Sequence, residues 1–175
     1  GMGEYGGLVE ALPALTVCLP TITFTGRLVI HGEQRSAELI TFEGGHTGSD
    51  TVLHLPQDGI VFMSDLLFTD FHPYLADGDP WALMNALREI SQLGASAFIP
   101  GHGPIGEIED VKLLIDYIEE CIGTARGLVD AGNVNEDMIK ALPVPERFRR
   151  WSLPQFYASN IRFLCDRLST AAGDV

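Results

Sequence analysis

The chain has 175 residues, 46% of them apolar, a formal net charge of -13 and a mean hydropathy of +0.15. That length suits one domain or a large part of one, and the apolar content excludes a disordered chain. The acidic balance argues against nucleic acid or an anionic membrane as the main partner, because both are held by basic patches.

Gly1-Met2 reads as a tag scar or start and is set aside, leaving a single domain over 3–175 with a core at 21–128 and a helical extension at 129–175. Glu4 to Leu15 has apolar residues at helical spacing and predicts a short amphipathic helix broken near Pro13. Pro20 then opens a predicted strand, Ile22 to Ile30, interrupted at Gly26. His31 to Gln34 is a polar turn, which makes His31 a solvated histidine, and Ala37 to Phe42 is the returning strand. Thr51 to Leu55 and Ile60 to Met63 are strands joined through Asp58-Gly59, a pair that favours hairpins; His54 lies inside the first as a packed or edge-strand residue. Asp79-Pro80 starts a helix with an acid N-cap and proline in the first turn, and Gly94 ends it. Ser96 to Ile99 is a short apolar strand. Glu107 to Leu128, Asn135 to Leu142 and Gln155 to Leu168 are helices, the first with acids at its N-terminus where the helix dipole favours them. Hairpins followed by helices imply an α+β fold, a sheet covered by helices. Cys18, Cys121 and Cys165 are too scattered to be ligands and fit buried free thiols in a reducing, cytoplasmic setting. No apolar run reaches 18 residues, so no membrane span is expected.

Three residues in or beside turns carry chemistry. His46 lies in GGHTGSD, where glycines allow a sharp turn and Thr47, Ser49 and Asp50 can orient an imidazole. Asp65 lies in the apolar run VFMSDLLF; a carboxylate largely buried there is costly unless paired or metal-bound. His102 lies in PGHGP, a rigid turn of little bulk that leaves its ring free.

In this order and spacing, Gly45-His46-Thr47, Ser64-Asp65-Leu66-Leu67-Phe68 and Pro100-Gly101-His102-Gly103 resemble the second half of the metallo-β-lactamase superfamily, over about 21–128. One departure is Ser64, where that family usually has glycine. The resemblance implies half of an αβ/βα sandwich with a mostly antiparallel sheet. It implies that His46 binds a first zinc, Asp65 bridges two zinc ions and His102 binds the second. It also implies hydrolysis, with a deprotonated water attacking a carbonyl or phosphoryl centre and the metals stabilising the oxyanion. The family places substrate-lining residues just after the metal-binding strand, which makes Phe71, His72 and Tyr74 pocket candidates. Small esters, lactones, thioesters or lactams are the expected substrates.

The family's first motif, H-x-H-x-D-H, is absent from these 175 residues. The chain therefore reads as a fragment, one chain of a split protein or a natural truncation. Three ligands spread over two metals should bind zinc weakly unless a dimer brings two half-sites together. A sheet from half a sandwich would expose an apolar face, and such a face marks an interface, covered by a second copy, by the missing N-terminal half or by rearranged helices. Two functional readings follow: a truncated metal-dependent hydrolase inactive alone, or an inactive assembly module that keeps the half-fold.

Overall fold

The structure, a computed structural model, describes residues 6–173. Glu4 and the expected start at Gly1-Met2 lie outside the described residues. Helix α1 runs Gly6–Ala11 and gives way to a 3-10 turn at Leu12–Ala14, where Pro13 cannot continue an α-helical ladder. Strands β1 (Arg27–His31), β2 (Ser36–Glu43), β3 (Ser49–Leu55), β4 (Ile60–Phe68) and β5 (Ala97–His102) form one sheet in that order. All neighbours are antiparallel except β4 and β5, which run parallel because α2 (Pro80–Ile90) crosses between them. The strand expected from Ile22 begins only at Arg27: residues 22–25 have strand-like composition but pair with no strand, and Ile22 stays exposed. Gly26 bonds Thr41 instead, at a positive φ that ends the pairing.

Helix α2 starts where Asp79 caps it, its Oδ1 accepting from the Trp81 and Ala82 amides at 2.9 and 3.1 Å. Helix α3 (Ile108–Asp130) starts at a reciprocal cap between Glu107 and Asp110. Short α4 (Glu136–Lys140) is capped by Asn135, and α5 (Gln155–Gly173) lies along α3. Val52, Val61, Met63 and Phe98 project from one sheet face into a core with Leu83, Leu87, Leu114, Tyr117, Ile118, Ile161 and Leu164. The C-terminal segment is as deeply packed as the sheet, with Phe148, Ile161, Leu164 and Cys165 fully buried, whereas Cys18, expected to be buried, is exposed on the stretch before β1.

Among the described residues, no helix packs on the opposite sheet face. Cross-strand pairing sets Leu28, Leu39, Leu53, Phe62 and Ile99 in one row across all the strands. A second row includes Ile30 with Ala37, and Leu55 with Ile60 and Ala97. Because side chains alternate along a strand, these rows are as apolar as the helix-covered face while lying outside the core cluster. Phe62 is 41% exposed and Ile30 55% exposed. No described helix is long and apolar enough to cross a membrane.

Candidate metal centre

His46, Asp65 and His102 come together at one end of β4. Asp65 sits inside β4 rather than at its end, and a break in that strand sets its direction. Ser64 has φ +49° and the pairing with β5 slips on either side of it. That bulge interrupts the alternation that would have sent Asp65 inward. The expectation of a largely buried Asp65 is thereby corrected: its side chain is 39% exposed. Its two carboxylate oxygens point to different histidines. Oδ1 is 3.5 Å from His102 Nε2 and Oδ2 is 3.8 Å from His46 Nε2.

These separations exceed a hydrogen bond. They are near the ~3.3 Å between two ligands on one tetrahedral ion with bonds of about 2.0–2.1 Å. The donor set thus fits one imidazole and one carboxylate oxygen at each of two positions. That is fewer than the three or four protein ligands of a zinc site. Consistently, no group of three or more His, Cys, Asp or Glu among the described residues is gathered tightly enough to hold one ion by itself.

The two rings are held by packing. Phe68, almost buried, stacks on His102 with centroids 5.3 Å apart and 12° between planes, and lies 5.6 Å from His46. Phe71 flanks His102 from another side at 6.1 Å. Beneath Asp65 the chain needs Gly101, because a Cβ there would overlap Asp65 Oδ1 and the Ser64 main chain. Gly103, at φ +101°, turns the chain over the Thr69 carbonyl. The Thr69 amide in turn donates to the His102 carbonyl at 3.0 Å.

The His46 loop is fixed through its backbone. Asp50 accepts from the His46 amide at 2.9 Å, from the Thr47 amide and from the Thr47 hydroxyl at 2.8 Å. Ser49 and Thr47 bond one another. None of the three reaches the imidazole, contrary to the orienting role expected of them, and His46 Nδ1 is buried without a partner. Asp79 adds a second anchor, its amide donating to the Gly45 carbonyl at 2.9 Å. Burial alone would raise the Asp79 carboxyl, but the Ala82 amide and the Arg167 guanidinium outweigh it and hold it below the usual range. The motif GGHTGSD already contains the acid that closes the loop; what the sequence does not show is that Asp50 serves amides rather than a ring.

The three pocket candidates separate. Phe71 is beside His102. Tyr74 turns away onto Phe156, at 5.3 Å. His72 is fully buried, which corrects its expected place on a substrate wall: its Nδ1 lies 3.0 Å from the Tyr117 hydroxyl, among Trp151 and Tyr157. Of the other histidines, His54 is buried against Glu38 at 3.2 Å and His31 is exposed at the β1–β2 turn, both as expected.

Burial pushes the His72 imidazole below its ordinary value, and the Phe148 main chain opposes this only in part. The unfolded chain therefore takes up a proton at higher pH than the folded one. Stability contributed by neutral His72 is present above about pH 6.5 and falls as pH drops through the window beneath it. Denaturant melts of His72→Gln against the parent chain should show a flatter loss of stability below pH 6.5. An unchanged acid slope would mean that His72 is solvated in solution.

The sequence model of the metallo-beta-lactamase superfamily matches residues 2–102. No curated protein matches. Among solved structures, a metallo-beta-lactamase from Pontibacter korlensis is 24% identical, with 66% of this chain and 55% of that one aligned at a TM-score of 0.53. The metallo-beta-lactamase FIM-1 from Pseudomonas aeruginosa, in a mono-zinc form, is 25% identical, with 63% and 52% aligned at 0.50. The sec-alkylsulfatase Pisa1 from Pseudomonas sp. is 16% identical, yet 87% of this chain aligns with 27% of it at 0.66. The chain thus spans about half or less of the length of these structures. A sheet with helices on one face, a bulged strand aiming one carboxylate at two histidines, and a family match over more than half the residues agree: the chain belongs to the metallo-beta-lactamase superfamily.

Proposed function

We propose that this chain is one half of a zinc-dependent hydrolase site, inactive alone, which acts on a small ester, lactone, thioester or lactam once a second layer covers its open sheet face. One observation carries the reading: both oxygens of Asp65 face imidazole nitrogens, one on each side, with Phe68 packed against both rings. His46 and Asp65 would hold one zinc, and Asp65 and His102 the other. Bound zinc supplies Lewis-acid polarisation and brings the pKa of water to about 7. The chain's own residues position that chemistry. Asp50 and Asp79 fix the His46 loop, Gly101 lets Asp65 lie against the strand beside it, and Phe68 limits ring rotation.

The missing donors belong to the second layer, either a second copy of this chain or an N-terminal half that carries the absent motif. The open rows from Leu28 to Ile99 support this, being the surface such a layer would bury. The similarity to a protein crystallised in a mono-zinc form supports zinc over other divalent ions. A cytoplasmic setting suits Cys121 and Cys165, buried free thiols, the former pushed up to about 12 by burial.

Equilibrium dialysis against zinc, with metal analysis, tests the reading. The chain alone should bind weakly. His46→Ala and His102→Ala should each weaken that binding at least ~10-fold, the scale on which even residues supporting a ligand act. Binding that is indifferent to both substitutions would leave the alternative, an assembly module that has kept the half-fold without its chemistry.

A further inference from the structure

Outside the metal centre, a buried polar cluster joins α5, α3 and the segment after β4. Asn160, fully buried on α5, spends its whole amide on that segment. Its Oδ1 accepts from the Leu75 amide at 3.0 Å, and its Nδ2 donates to the Pro73 carbonyl at 2.8 Å and to the Tyr117 hydroxyl at 3.2 Å. The Tyr117 oxygen, having accepted from Asn160, also bonds His72 Nδ1 at 3.0 Å, as donor or acceptor according to the imidazole tautomer. His72 Nε2 has no partner of normal geometry.

The same segment is pinned a second time, on the other side of His72. The Ser152 amide donates to the Asp70 carbonyl at 2.8 Å and the His72 amide donates to the Ser152 carbonyl at 3.0 Å, pairing Phe71 with Ser152. The crossing costs backbone strain on both sides: Asp70 has φ +59° and Leu153 φ +60°, neither of them glycine. A bulky residue such as leucine held left-handed persists only where its surroundings over-determine it. Phe71 is held inside the second clamp, between the Asp70 and His72 main-chain bonds to Ser152 and next to the stretch that Asn160 pins, and its ring flanks His102.

We propose that Asn160 is a positioning residue for the metal centre: through the clamped 70–75 segment it sets Phe71, and Phe71 sets the ring of His102. His102 is the most exposed of the three site residues, at 53% of its side chain, so it depends most on such support. His46 packs on Phe68 and its loop is fixed by Asp50, so it lies outside this chain of contacts. The inference gives a function to the C-terminal extension, and it rests on the reading of His102 as a ligand.

NMR of the imidazole protons in the metal-free chain tests it. Phe68 and Phe71 bring ring-current shifts to His102. In Asn160→Ala, the His102 signals should move toward those of exposed His31, while those of His46 stay in place. Phe71→Ala should move His102 the same way and leave the Leu75 amide where it was. Tyr117→Phe keeps the ring packing but removes the hydroxyl, and should give a smaller shift in the same direction; it also decides the matter if Asn160→Ala does not fold. His102 signals unchanged in the folded variants, or His46 moving as far as His102, would overturn the proposal. Because no metal is used, the clamp can stand when zinc binding fails, and zinc binding can stand when the clamp fails.

Discussion

Phe62→Glu, combined with Leu53→Glu, should abolish the proposed association of the chain through its open sheet face and leave the fold nearly as stable as before. Both residues lie in the open cross-strand row, and Phe62 is 41% exposed, so their charges remain in water in the uncovered chain. Substitutions at such sites usually change stability by about 0.5 kcal/mol or less. Burying those charges in an interface costs several kcal/mol for each unpaired ion. The neighbouring position gives the opposite result. Val61 is fully buried on the helix side of the same strand, and Val61→Glu should unfold the protein. Sedimentation velocity over a range of concentrations, beside thermal melts, checks both. Association that survives in the double variant would place the interface elsewhere.

Gly101→Ala should damage the metal centre more than its size suggests. The added Cβ meets the Ser64 main chain, which cannot swing away, and Asp65 Oδ1, the end of the carboxylate that faces the histidines. Overpacking of this kind typically costs about 1–3 kcal/mol. In a chain of this size that lowers Tm by roughly 2–4 °C per kcal/mol. The carboxylate must shift, and it serves both histidines, so zinc affinity should fall with it. Gly123, inside α3 with open space around it, is the control: alanine there should stabilise by roughly 0.5–1 kcal/mol. Equal, small effects at both positions would show that Asp65 is not held as described.

Most of the fold could be read in advance because its signals are local. Alternating apolar residues, the Asp58-Gly59 turn and the Asp79-Pro80 cap act within a few residues of where they stand. His46, Asp65 and His102 were legible as a set from three short motifs, and the structure brings them to one place. What escaped depends on distant partners. The 22–25 segment has the composition of a strand but pairs with no strand. Asp65 faces out because of a bulge at Ser64, a serine in a left-handed conformation that no composition rule anticipates. His72 looked like a loop residue at a pocket wall, since Tyr117 and Asn160, which bury and bond its segment, lie 45 and 85 residues along the chain from the positions they bond. The stacking of Phe68 on His102 needs β4 and β5 side by side, which no local signal announces.

The central claim is that Asp65 joins His46 and His102 into one metal half-site, and zinc titration followed at the imidazole nitrogens by NMR tests it most directly, since it detects weak binding. Zinc should perturb Nε2 of His46 and His102 together, leave His31, His54 and His72 unmoved, and lose its effect on both ligands in Asp65→Asn. Perturbation of only one of the two histidines, or of His31 as strongly as either, would contradict the account.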